Sequence, residues 1–374
     1  MTGKKHIVVS AVNIRKGGTL TVLRDCLGYL SQRKDCTVTA IVHRKDLCEY
    51  PGIEYIEIPR SAKGWGRRLW CEYVTLGKIS ERMENVPDLW LSLHDTTPRV
   101  KALRQAVYCH TSFPFMKIRG RDFRMDAKIP LFSMFTGFAY KLFCRRNDYM
   151  IVQQEWFRDG LSSITGFPKE KIIVCPPSFK GVEIPDTPKE GTHSEGVPIF
   201  FYPSTPDCHK NFELLCQAAS ILEKRIGTGK FKVVLTLSGK ENRYASYLKN
   251  TWRTLSSVDF HGFMSREELG KYYSLASCLV FPSRIETWGL PISEFGITGK
   301  PMILSDLPYA HETASGQGKV SFCSTEDPEK LSFLMEEVIS GDMKSFSPVG
   351  EVEHHAPYAS SWESLFGDYL LAGK

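Results

Sequence analysis

Short apolar runs alternate with amphipathic stretches along most of the chain. Residues 6–12 are rich in β-branched side chains and show little alternation, the pattern of a parallel strand covered on both faces. Comparable runs occur at residues 37–42, 54–58, 89–93 and 106–109, within 148–156 and 172–177, then again at 198–204, 232–239, 278–283 and 301–306. Between them lie stretches with helical spacing. Leu20, Leu23, Leu27 and Leu30 form one face, and Phe212, Leu215, Ala218, Ala219 and Leu222 form another. The tail has Trp362, Leu365, Phe366, Tyr369 and Leu370 at the same spacing. Strands alternating with helices predict doubly wound parallel sheets of the α/β class.

Residues 176–198 interrupt this order with five prolines and three glycines. We read residues 179–197 as a linker between a Rossmann-like domain over 1–178 and a second over 198–356. Residues 357–374 are expected to form a helix that packs back toward the first domain. A chain of 374 residues suits two such domains. Its apolar and charged fractions, 42% and 24%, are those of a globular protein. The net charge of +6 is too small to argue for nucleic acid. Eleven cysteines, none in a Cys-x-x-Cys pair, point to reduced thiols in a cytoplasmic setting. No apolar run is long enough to predict a transmembrane helix.

The densest chemistry lies at 281–306, FPSRIETWGLPISEFGITGKPMILSD. A buried strand should end near Pro282 and a helix should begin near Pro291, where proline is tolerated in the first turn. Gly299 is placed to terminate that helix. Glu286 then falls on the loop after the strand, and Glu294 one turn into the helix. The amides of Trp288, Gly289 and Leu290 would stand at the helix N-terminus, where an anion is favoured. Carboxylates for hydroxyls beside an anion site suit a nucleotide sugar.

This stretch resembles the E-x7-E signature of the retaining family 4 glycosyltransferases with the GT-B fold, with Thr287 and Trp288 departing from the family's usual Gly and Phe. The resemblance implies two Rossmann-like domains facing a central cleft. It also implies a first glutamate, Glu286, on the donor sugar's hydroxyls and a second, Glu294, on the ribose. His110, which ends the strand at 106–109, is similar to a family histidine near the donor sugar. Lys210, before the helix at 212–222, corresponds to the lysine of an R-x4-K pair whose arginine is replaced here by Thr205. Arg284 is the expected substitute for that charge. The catalytic set is thus Glu286, His110 and Lys210. The donor-binding set adds Glu294, Trp288, Gly289, Leu290, Arg284, the Gly17-Gly18 loop and Phe263 of the turn before Ser265. No metal or other cofactor is expected.

Residues 113–146 carry eight basic residues against two acidic ones, interleaved with aromatic residues. Leu131, Phe135, Phe138 and Leu142 would share one helical stripe. This composition fits either an anionic membrane edge or a core helix beside a basic loop. Asp95, Lys117, Arg119, Arg121 and Arg124 are expected on the acceptor or membrane side.

The expected activity is sugar transfer from a nucleotide-diphosphate sugar to a glycan or polyprenyl-linked acceptor. The resemblance suggests surface polysaccharide synthesis of the O-antigen or capsule type, in the cytoplasm or at the inner face of the membrane. A GT-B epimerase or phosphorylase, and a non-catalytic membrane-surface scaffold, are the alternatives.

Overall fold

The computed structural model describes residues 4–62, 64–177, 183–185 and 196–372. Most of the expected linker, 179–197, lies outside the described residues. The chain forms two compact units: residues 1–114, 134–178 and 354–374 make one, and residues 115–133 and 179–353 make the other. Both are Rossmann-like, and the fold is GT-B.

The first unit holds a seven-stranded parallel sheet ordered β3-β2-β1-β4-β5-β6-β7. Its strands are β1 (Lys5–Ala11), β2 (Cys36–Val42), β3 (Ile53–Glu57), β4 (Leu89–Ser92), β5 (Arg104–Tyr108), β6 (Tyr149–Val152) and β7 (Ile172–Val174). Helix α1 (Gly18–Ser31) covers one face through Leu20, Leu23, Leu27 and Leu30. Next in the chain are α2 (Trp65–Trp70), a π-helical turn at Cys71–Thr75, and α3 (Leu76–Arg82). Leu76 and Cys71 pack with Val8, Ile41 and Trp90 in a separate core cluster. Helix α6 (Glu155–Thr165) and the part of α5 (Lys128–Lys141) from residue 134 onward belong to this unit, whereas α4 (Gly120–Asp126) and the start of α5 belong to the other.

The second unit has a six-stranded parallel sheet ordered β10-β9-β8-β11-β12-β13. Its strands are β8 (Ile199–Tyr202), β9 (Lys232–Leu235), β10 (Val258–Phe260), β11 (Cys278–Phe281), β12 (Met302–Ser305) and β13 (Val320–Cys323). The helices are α7 (Phe212–Ile226), α8 (Arg243–Trp252), α9 (Arg266–Leu275), α10 (Leu290–Gly296), α11 (Pro308–Thr313) and α12 (Pro328–Ser340). Ser265 caps α9 with Glu268 in the reciprocal capping box its sequence predicts.

Residues 354–374 return to the first unit. There α13 (Trp362–Ser364) and a following π-helical turn bury Leu365, Phe366 and Leu370 against the α1 side of the core.

Three local expectations change. Asn211, whose residue type and place before the helix at 212–222 suit an N-cap, adopts a left-handed conformation (φ +57°), and its side chain makes no cap bond. Its amide instead donates to the carbonyls of Pro282 (3.3 Å) and Thr325 (3.0 Å). Helix α10 stops at Gly296, and Gly299 supplies the left-handed residue (φ +64°) three positions later. Helix α5 is turned inside out relative to a core helix. Leu131, Phe135 and Phe138 are exposed, while Ser133, Thr136 and Tyr140 on the opposite side are buried.

Among the described residues, no helix is long and apolar enough to cross a membrane. All eleven cysteines are free thiols and buried.

Candidate functional site

In the second unit, the chain leaves β11 at Phe281 and runs through Pro282–Thr287 before α10. Gly289 caps α10 with φ +91°, a left-handed conformation that favours glycine. A Cβ there would meet Ile292 Cδ1 at 3.2 Å, so space as well as backbone conformation favours glycine. The loop brings Glu286 beside Lys210, which ends a short 3-10 turn after β8. The Lys210 ammonium donates to Glu286 Oε1 at 2.6 Å, and each side chain retains 14% exposure. The pair is therefore accessible but largely desolvated. Tyr202 holds the turn by donating to the Lys210 carbonyl at 2.8 Å.

Glu294 lies within α10, with 11% of its side chain exposed. Its Oε2 accepts the Tyr273 hydroxyl at 2.7 Å, and Arg266 stands 3.9 Å from Oε1. Burial, and then the neighbouring Glu294 charge, holds the Tyr273 hydroxyl well above the usual tyrosine range. Tyr273 carried no signal in the sequence, because its partner lies 21 positions away. Trp288 is half-buried and donates from Nε1 to Ser293 Oγ at 3.0 Å. Phe263 is 91% exposed on the turn before α9.

Arg284 does not supply the second free charge expected of it. Its guanidinium is buried and pairs with Asp122 Oδ1 at 2.7 Å, with side-chain exposures of 5% and 1%. The same group donates to the Cys208 carbonyl at 3.2 Å. Two residues of the expected acceptor or membrane side are also engaged. Arg119 pairs with Glu326 at 2.9 Å, and Arg121 with Glu213 at 3.2 Å. Lys117 and Arg124 are exposed.

In the first unit, Gly17 (φ +71°) begins α1, and Gly18 is its first residue. At the C-terminal ends of β4 and β5 a second polar constellation forms. Asp95 is in the left-handed region (φ +70°), rare for a residue with a side chain. Its carboxylate accepts the His110 amide (2.6 Å) and the Thr111 hydroxyl (3.2 Å), with the Tyr140 hydroxyl 3.1 Å away. Asp95, expected to face an acceptor, thus turns inward and holds the loop carrying His110. The His110 ring stacks on Tyr108 with centroids 4.6 Å apart. Burial lowers its pKa below the ordinary histidine value.

Beneath lies a chain of hydrogen bonds whose direction follows from its donors. Trp90 Nε1 can only donate, and it does so to Ser10 Oγ (3.0 Å); Thr96 donates to Glu72 Oε2 (2.7 Å). The Thr96 oxygen therefore accepts from His94 Nδ1 (3.0 Å), and His94 Nε2 accepts from Ser10 (3.0 Å). Arg68 donates to Glu72 Oε1 at 2.7 Å and to the His94 carbonyl at 3.0 Å. His94 is fully buried, and desolvation with the nearby Arg68 charge pushes its pKa down to about 3. Burial raises the Glu72 carboxyl despite Arg68. Glu72 sits in the π-helical turn, a local irregularity often associated with functional positions. The i,i+4 spacing of Arg68 and Glu72 was the one sequence signal for this network.

Residues 183–348 match the model of the family described as glycosyl transferases group 1. This match supports a GT-B glycosyltransferase. Among solved structures, the sucrose-phosphate synthase of Thermosynechococcus elongatus is similar at TM-score 0.64 and 15% identity, covering 91% of this chain and 92% of its own. The lipopolysaccharide outer core galactosyltransferase WaaB, in its apo form, is similar at TM-score 0.60 and 15% identity, covering 91% of each chain. HepE of Anabaena, solved in complex with UDP-glucose, has a TM-score of 0.60, 15% identity and 91% coverage of each chain. At these identities the structures speak for the fold. No curated protein sequence matches the chain.

Proposed function

We propose that the chain is a retaining family 4 glycosyltransferase moving a sugar from a nucleotide-diphosphate sugar to a glycan or polyprenyl-linked acceptor in surface polysaccharide synthesis. The reading rests chiefly on the accessible Lys210–Glu286 pair beside the Gly289 turn, with Glu294 on the helix that follows. HepE, a structural neighbour, binds UDP-glucose, which supports a donor of this class.

In this reading Glu286 accepts hydrogen bonds from sugar hydroxyls, and Glu294 accepts them from the ribose. An ammonium has three N–H donors, and Glu286 uses one from Lys210; the others are directed at the leaving diphosphate. Charge developing on that phosphate is stabilised by Lys210 and the turn amides, so no metal or other cofactor is assigned. The acceptor hydroxyl attacks the face from which the diphosphate departs. Its proton passes to the departing phosphate. Phe263 stacks on the base, and Lys117 and Arg124 meet the acceptor's charge. The protein works in the cytoplasm, in peripheral contact with an anionic membrane.

A thermal-shift screen against UDP-, GDP-, dTDP- and ADP-sugars tests the reading. One nucleotide should raise Tm. Glu294→Gln, which retains an acceptor for Tyr273, should weaken donor affinity at least ~10-fold by removing charge-assisted hydrogen bonds. A folded protein that responds to no nucleotide, or a variant of unchanged affinity, would overturn it.

A further inference from the structure

Six large apolar side chains stand out of the first unit on two helices. On α2, Trp65, Leu69 and Trp70 are 52%, 40% and 64% exposed, and on α5, Met134, Phe135 and Phe138 are 59%, 59% and 67% exposed. The inner sides of these helices converge on one residue. Arg68 of α2 approaches Asp95 at 4.0 Å, and the Tyr140 hydroxyl of α5 lies 3.1 Å from the same carboxylate. Just beyond, the rings of Tyr73 and Phe143 meet with centroids 5.9 Å apart. Both helices thus turn a polar inner side toward Asp95 and leave their large apolar side chains exposed.

The charges on these helices are of one sign. Neither the α2 segment WGRRLW nor the α5 segment KIPLFSMFTGFAYK contains an acidic residue. Arg67 and Lys141 are exposed on them, and Arg145 is exposed just after α5. Exposed apolar and aromatic side chains beside cations, on two helices that carry no carboxylate of their own, are complementary to an anionic bilayer: aromatic rings favour the headgroup boundary and guanidinium or ammonium groups favour lipid phosphates.

We propose that the outer face of α2 and α5 is where the chain docks on an anionic lipid bilayer. The inference deepens the proposed function, resting on it for the lipid-linked acceptor, and it moves the membrane contact away from the basic loop. Arg119 and Arg121, at the start of α4, are engaged by Glu326 and Glu213, whereas the exposed apolar side chains lie on α2 and α5.

The test is co-sedimentation of the full chain with vesicles of phosphatidylglycerol and phosphatidylcholine in equal parts, against vesicles of phosphatidylcholine alone. The wild type should partition onto the anionic vesicles. Phe135→Ser combined with Phe138→Ser should lose at least ~10-fold in partition, following the loss of buried apolar area. Leu69→Ser with Trp70→Ser, on the other helix, should do the same and guards against a folding defect in the first pair. Unchanged melting curves show that each variant is folded.

Absence of wild-type binding, equal binding to the neutral vesicles, or unaltered partition in both folded variants would overturn the proposal. So would a concentration-dependent dimer that the α5 variant abolishes without vesicle binding, since a second copy would then cover this face. Donor binding is read separately by thermal shift. Vesicle binding without a donor shift sinks the transferase reading and leaves the docking surface. A donor shift without vesicle binding does the reverse.

Discussion

Replacing Arg284 by methionine separates a structural role from a donor-binding one. Arg284 Nη2 and Asp122 Oδ1 are 2.7 Å apart with almost no solvent access. At an effective dielectric of about 20 their attraction is ~6 kcal/mol, which desolvation of the two ions largely offsets. The intact pair is thus close to neutral in net terms. Breaking it is not, because Arg284→Met strands the Asp122 carboxylate, which among the described residues keeps the Arg119 amide at 2.8 Å. The expected loss is about 3–5 kcal/mol. Asp122→Asn should cost less, since Arg284 retains the Cys208 carbonyl. The double variant should recover much of the loss, giving a coupling of ~2 kcal/mol or more in a double-mutant cycle. Urea denaturation of the four proteins measures these quantities, with donor affinity followed in parallel. A loss below ~1 kcal/mol for Arg284→Met, accompanied by at least ~10-fold weaker donor binding, would refute the argument and return Arg284 to the phosphate site.

Two further outcomes follow from burial. His94 has a folded pKa of about 3 against an ordinary 6.5, so the folded state binds fewer protons between those values. Stability should therefore fall as pH drops through 6.5 and continue falling toward 3, by about 2 kcal/mol between pH 8 and pH 5. Parallel melts of His94→Gln isolate this component, and identical pH profiles for the two proteins would sink it. Phe263, at 91% exposure, should be replaceable by alanine with a stability change within ~0.5 kcal/mol. Donor affinity should nevertheless fall by about 10-fold through lost stacking. Titration of the donor into the variant decides this, and an unchanged affinity removes Phe263 from the base site.

What was legible in the sequence was local. Parallel strands buried on both faces read as apolar runs, and β11 and β12 stand where such runs predict them. The loop position of Glu286, the helix position of Glu294 and the Ser265–Glu268 cap each follow from a few neighbouring residues. The pairing of Arg284 with Asp122 spans 162 positions, and no local pattern announces it. Helix α5 fails differently. Periodicity identifies the two faces of a helix, but the identity of the buried face depends on what polar partners the tertiary structure supplies. Asp95 and the Thr111 backbone supply them here, so Tyr140 turns inward and the phenylalanines outward. Asn211 has the residue type of a cap, yet two distant carbonyls claim its amide.

The discontinuous make-up of the two units bears on how the chain is synthesised. Residues 115–133 leave the ribosome with Arg119, Arg121 and Asp122 in need of counter-charges that do not yet exist, because Glu213, Arg284 and Glu326 are translated much later. The first unit in turn waits for the final residues, which bring Leu365 and Phe366 into its core and Tyr358 alongside β7. Vectorial folding, in which an N-terminal domain is finished before the next begins, is therefore closed to this chain. A cut between residues 178 and 179 would give two fragments, each lacking a piece of its own interior or ion-pair set.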